Sequence, residues 1–229
     1  MPQQTIKVDS VAEAYLALLK DRGVDYIFGN AGTDFPSIIE GLAKAISDGG
    51  RAPTPITVPH ENLGVAMAHG FYLATGRPQA VMVHVNVGTA NALCGIINAQ
   101  RENVPILFTS GRTPITETGA PGARSLFIHW GQEMFDQASM VREMVKWDYE
   151  LRNARQLETV VDRAVTLAMT GSAKRSTRSA NAGTAPARWP KLAVMTSGFS
   201  APASHSAALS IAAASAAGGD AATWRAGES

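Results

Sequence analysis

Apolar residues recur along this chain in two alternating rhythms. From Asp9, the residues Val11, Tyr15, Leu18 and Leu19 fall at helical spacing, with Asp9 or Ser10 as cap and Gly23 as stop. Val24 to Phe28 reads as a short apolar strand. The turn Gly29-Asn30-Ala31-Gly32-Thr33 follows, then a helix carrying Ile38, Ile39, Leu42 and Ile46. The cycle repeats with a strand over 56–58 and a helix over 61–74, built on Leu63, Met67 and Phe71 and ended by Gly76 and Pro78. Next come a strand over 80–85, the turn Val87-Gly88-Thr89, a small-residue helix over 90–101 and a strand over 105–109. Residues 112–133 read as loop, 134–144 as helix, 146–151 as a last short strand and 154–169 as a long amphipathic helix.

Strand, turn and helix in repeated order predict an α/β fold, a parallel sheet flanked by helices on both faces. Strands this apolar are the kind buried on both sides. Ligands of such sheets sit at the carboxyl ends of the strands, which directs attention to 29–33, 59–61 and 84–91.

Composition adds a boundary. Residues 1–170 hold 17 of the 19 acidic residues, whereas 171–229 hold 18 Ala, 10 Ser and only Asp220 and Glu228. The expected organisation is a single domain over 1–170 with a low-complexity, Ala/Ser-rich C-terminal tail over 171–229, weakly ordered or disordered and packing little. With 20 basic residues against 19 acidic, the net charge of +1 offers no nucleic-acid surface and no polybasic membrane patch. A lone cysteine, Cys94, allows no internal disulfide. No apolar leader opens the sequence and no uncharged apolar run reaches the roughly 20 residues of a membrane span. The expectation is a cytoplasmic chain with no nucleic-acid or membrane partner.

Glu61 is the sharpest chemical feature. It comes directly off a strand end, after Ile56-Thr57-Val58-Pro59-His60, and starts a helix. A carboxylate there either serves the helix terminus or is a partly buried acid that can exchange a proton with a ring nitrogen. The turn Gly29-Asn30-Ala31-Gly32 lacks the third glycine of a dinucleotide fingerprint and the ending of a P-loop, which argues against a generic nucleotide binder. Its glycines, like Gly88 beside Thr89 and Asn91, suit close approach of a ligand to the backbone. His84, inside the apolar run Val81-Met82-Val83-His84-Val85, is a core histidine or a catalyst. His60, His69 and His129 show no metal-ligand spacing with Cys94, and no metal site is expected within the chain. Cys94 reads as packing, and Trp130 and Trp147 as core or interface.

Taken together, the strand-end segments resemble something specific. Phe28-Gly29-Asn30-Ala31-Gly32-Thr33, Pro59-His60-Glu61-Asn62, the run Ala68-His69-Gly70 to Gly76-Arg77-Pro78, and Gly88-Thr89-Ala90-Asn91 are similar, in order and spacing, to the N-terminal pyrimidine-binding domain of thiamine-diphosphate-dependent 2-oxo-acid decarboxylases and carboligases. The likeness covers about residues 10–170 and is nearest to acetolactate-synthase-like and benzoylformate-decarboxylase-like members. It implies that Glu61 hydrogen-bonds the aminopyrimidine ring nitrogen of thiamine diphosphate and so activates the cofactor. It also implies a cofactor site around Gly29, Asn30, Gly32, Gly88 and Asn91, and a substrate pocket lined by Thr33 and His84.

The sequence departs from that pattern in places. Ala31 stands where the family usually has proline, and Asn86-Val87 where synthases have glycine and proline, which weakens the case for acetolactate chemistry. The family's second cofactor domain, which binds the diphosphate through Mg2+, has no counterpart here. The implied role is therefore half a cofactor site, inactive alone, served by a homo-oligomer or a separate diphosphate-binding subunit, with a small 2-oxo acid as substrate if active. The alternative is a non-catalytic binding or dimerisation protein that retains the fold.

Overall fold

The structure, a computed structural model, describes residues 3–119, 122–170, 193–197 and 208–212. Its centre is a six-stranded, wholly parallel sheet in the order β3-β2-β4-β5-β7-β6. The strands are β2 (Tyr26–Asn30), β3 (Thr54–Thr57), β4 (Ala80–Val83), β5 (Leu107–Gly111), β6 (Trp147–Leu151) and β7 (Ala193–Ser197). A separate antiparallel pair joins β1 (Gln3–Lys7) to β8 (Ala208–Ala212).

Alternation along the strands divides the core in two, because successive side chains leave a strand on opposite faces. Ala80 and Met82 of β4 join Ile27 and Leu107 under α1 (Val11–Asp21) and α6 (Leu157–Met169), with α2 (Pro36–Ser47) at the side. Val81 and Val83 join Phe28 and Phe108 under α3 (Glu61–Thr75) and α4 (Val85–Arg101). Helix α1 starts at Ser10, whose hydroxyl accepts the Glu13 N–H while the Glu13 carboxylate returns to Ser10 Oγ and the Asp9 N–H. Its residues Ala14 to Leu19 are all buried, so it lies within the core and not along its edge. Its Tyr15 hydroxyl meets Thr109 Oγ1 at 2.5 Å, and burial pushes the phenol up to about 12.

The chain passes from β2 outward to β3, then returns across β2 to β4 before continuing to β5. The connections after β2 and β4 therefore leave in opposite directions. The crevice between their carboxyl ends is where parallel sheets of this kind hold ligands.

Three expectations need correction. Residues 134–144 do not form one helix: they give two short 3-10 turns, Gln137–Met140 and Arg142–Met144, while a short helix α5 (Phe127–Gly131) lies within the segment read as loop. Asp136 takes the Ser139 N–H and also pairs with Arg142, which fixes a turn where a continuous helix was expected. His84 lies just past β4 and immediately ahead of α4, which starts five residues earlier than the small-residue run suggested. Cys94 is exposed on α4.

Within the Ala/Ser-rich tail, only β7 and β8 fall among the described residues, and β7 is not peripheral. It pairs with β5 on one side and β6 on the other, from Leu107↔Ala193 to Leu151↔Ser197. The apolar run Leu192-Ala193-Val194-Met195 suits an interior strand. The remainder of 171–229 lies outside the described residues. The amides of Ala193–Ser197 are expected to exchange with solvent as slowly as those of β5. Exchange at the rate of an unstructured chain would contradict the sheet order.

Candidate functional site

Glu61 occupies the first position of α3 because the exit from β3 is stapled to the exit from β2. The Val58 N–H donates to the Gly29 carbonyl at 2.9 Å, and the Asn30 side-chain amide donates to the Val58 carbonyl at 2.9 Å. His60 then caps the helix, its Nδ1 accepting the Asn62 N–H at 3.1 Å. The Glu61 residue is only 6% exposed. A charge buried to that degree needs compensation. It receives the positive end of α3 and a hydrogen bond from Asn91 Nδ2 to Oε2 at 3.1 Å. Among the described residues no donor reaches Oε1. Gly88 backs that oxygen: a Cβ there would sit 3.3 Å from Oε1 and 3.0 Å from the Val83 Cβ.

Beside this carboxylate lies a second polar cluster. His84 Nδ1 is 2.5 Å from Asp34 Oδ1, and Nε2 is 2.9 Å from the Gln132 side-chain amide. The other Asp34 oxygen accepts the Val85 N–H at 3.2 Å. Val85 has φ of +31°, a conformation that a β-branched residue avoids. Such strain costs roughly 1–3 kcal/mol and persists only where the surroundings impose it. Here they do so from both sides, for the Val85 carbonyl accepts from Thr89 Oγ1 at 2.7 Å and from Ser110 Oγ at 2.9 Å. Buried Gln137 donates to Ser110 Oγ and to the Gly111 carbonyl.

Thr33, Asp34 and Gln132 also line a cavity of about 220 Å³ shared with Arg112, Thr113 and His129. Arg112 gives its terminal nitrogens to Glu150 and the Met134 carbonyl, while its Nε is buried with no acceptor. The 112–133 segment that carries Gln132 is braced by Arg124, which holds the Glu133 carboxylate with two nitrogens and the Pro114 carbonyl with a third.

The residues singled out in the sequence therefore fall into two groups. Glu61, Gly88 and Asn91 meet directly. Thr33 and His84 belong to the adjoining cluster, where Gly32 is filled on its open side by the His84 ring. Asn30 is spent on Val58, and Gly29 meets only ordinary neighbours, Phe35 and the Met82 carbonyl. Asp34, Gln132, Ser110, Gln137 and Arg112 were not anticipated. An aspartate just ahead of a helix reads as its cap, yet Asp34 turns to His84 and Val85 instead.

A family model for the thiamine pyrophosphate enzyme N-terminal TPP binding domain matches residues 9–140, more than half of the chain and all of both clusters. The chain belongs to this family. Among its relatives, the acetolactate synthase large subunit of Haemophilus influenzae is 28% identical over 162 residues, covering 71% of this chain and 26% of that protein. Benzoylformate decarboxylase of Pseudomonas aeruginosa is 27% identical over 68% of this chain and 27% of its own length. Sulfoacetaldehyde acetyltransferase of Rhodobacter capsulatus is 27% identical over 70% and 25%. The chain thus spans about a quarter of the length of the relatives it matches.

For this TPP binding domain the electrostatics of His84 give a stability test. The hydrogen bond to Asp34 raises its pKa above the ordinary histidine value, burial opposes the rise, and the charges of Asp34 and Glu61 add to it. Between about pH 6.5 and that raised value the folded chain binds more protons than the unfolded one, so stability falls as pH rises. The contribution is complete below this window and lost above it. Urea unfolding of wild type and His84→Gln should show a stability gap that narrows as pH rises above about 6.5. A gap independent of pH would contradict the assignment.

Proposed function

We propose that the chain supplies the pyrimidine-binding half of a thiamine-diphosphate site in a 2-oxo-acid decarboxylase or carboligase, with Glu61 as its proton-handling residue. The observation that carries this reading is a buried carboxylate at the ligand edge of the sheet whose Oε2 is held by Asn91 while Oε1 is left free beside Gly88. That arrangement fits an aminopyrimidine: one oxygen is anchored, the other is available to a ring nitrogen, and the glycine keeps the approach open. Bound thiamine diphosphate would supply a thiazolium that takes up and releases the acyl group of a 2-oxo acid.

The chain's own groups then have distinct tasks. Glu61 Oε1 shares a proton with the pyrimidine nitrogen, and burial keeps water from competing for it. Asn91 fixes the carboxylate plane. Thr33 and His84 face the substrate, with His84 able to donate or accept at Nε2. No group of three His, Cys, Asp or Glu side chains among the described residues is placed to hold a metal. The reading therefore assigns Mg2+ and the diphosphate to a diphosphate-binding domain other than this one. The faces of α3 and α4, where Leu63, Met67 and Ile97 are exposed, suit such a contact. No helix among the described residues is long and apolar enough to cross a membrane.

Two experiments test this function. The chain alone is expected to bind thiamine diphosphate weakly in calorimetry with Mg2+ and to turn over no 2-oxo acid, because metal-held diphosphate contacts are absent from its half of the site. Tight binding with decarboxylation by the lone chain would overturn the half-site reading. With a complementing diphosphate-binding chain, Glu61→Gln should lower turnover by about 10²–10⁴-fold. The loss at the helix terminus is only about 0.3–1 kcal/mol, too little to unfold the domain. Full activity of that variant would reduce Glu61 to a helix-start carboxylate.

A further inference from the structure

Asp34 is a carboxylate between β2 and α2 that does not cap α2: both of its oxygens are turned onto the β4–α4 junction. Oδ1 meets His84 Nδ1 at 2.5 Å and Oδ2 accepts the Val85 N–H at 3.2 Å. Its side chain is 8% exposed and that of His84 is 15% exposed, so the pair is largely shielded from water. Two glycines make room for it. A Cβ at Gly111 would collide with the Asp34 carboxylate, and one at Gly32 would collide with the His84 ring. The strained Val85 is held in place by the same carboxylate.

We propose that Asp34 is a positioning residue for His84: it binds Nδ1 and the Val85 N–H together, so that Nε2 is the nitrogen turned to Gln132, whose side chain lines the adjoining cavity. The inference rests on the proposed function only for the use made of His84. A neutral imidazole has one N–H, and an acceptor at Nδ1 fixes it there. Nε2 is then an acceptor, matched by the Gln132 amide that donates to it. On protonation Nε2 becomes a donor, and the Gln132 amide must turn its oxygen inward or give way to an acceptor on the substrate. Asp34 thereby makes His84 a proton donor over a wider pH range than a free histidine. The charged groups acting on it are Asp34 and, from the start of α3, Glu61, while Arg112 and His129 line the same cavity as Asp34. The two carboxylates favour the imidazolium.

Nitrogen-15 NMR of histidine-labelled chain tests this without cofactor or turnover, so its outcome is separate from that of the functional reading. His84 is assigned by the signal lost in His84→Gln. In the wild type the neutral ring should carry its proton on Nδ1 and titrate above the ordinary value of about 6.5. Asp34→Asn should lower that titration by about one unit or more and release the fixed tautomer, whereas Gln132→Leu should leave the proton on Nδ1 and should not lower the titration. A wild-type neutral ring protonated on Nε2 would overturn the proposal, even if Asp34→Asn failed to fold. So would an Asp34→Asn chain whose His84 titrates as in the wild type.

Discussion

Helices α3 and α4 approach each other and the sheet closely at three glycines, most closely at Gly95. A Cβ at Gly64 would press on Val58 and Phe28, one at Gly95 would sit 2.6 Å from Asn62 Oδ1 and 2.9 Å from Val65, and one at Gly88 would crowd Val83 and Glu61. This packing fixes where the first turn of α3 stands relative to the first turn of α4. Glu61 and Asn91 meet because of it, and the carboxylate is buried because of it. The constraint is steric, but its consequence is electrostatic: a charge is held in a dry position with one amide and one helix terminus to compensate it.

The junction between β4 and α4 carries the second half of the design. Val85 cannot adopt its backbone conformation without external restraint, and the restraint is a set of buried polar groups, each with a partner. Asp34 holds its N–H, and Thr89 and Ser110 hold its carbonyl. The same residues place His84 between Asp34 and Gln132. Strain, histidine orientation and the shape of the neighbouring cavity are thus one arrangement, in which loss of a single buried partner would leave several polar groups unsatisfied.

The larger part of this was legible in the sequence. The continuous apolar run of β4 and the helical periodicities of α1 and α6 are plain in the sequence, and the strand ends at 29–33, 59–61 and 84–91 do gather at one edge of the sheet. Glu61, Gly88 and Asn91 could be named because motif order and strand position agree. What escaped was set by distant partners. Asp34 looks like a helix cap until His84, fifty positions away, is seen to need it. Gln132 and Gln137 lie in a stretch whose periodicity is broken by the ion pairs of Asp136 and Arg142, so neither its turns nor its inward-facing amides could be read locally. Strand β7 was hidden by the composition around it, since five residues of ordinary strand character carry little weight in an Ala/Ser-rich segment.

The central claim is that the edge formed by Glu61, Gly88 and Asn91 recognises an aminopyrimidine. Titration of the isotopically labelled chain with thiamine, which carries that ring without the diphosphate, tests it most directly. The account predicts that amide shifts concentrate at Glu61, Gly88 and Asn91 and are lost in Glu61→Gln. Shifts confined to a separate cavity between α1 and α2, around Lys44 and Arg51, or an identical response from Glu61→Gln, would contradict it.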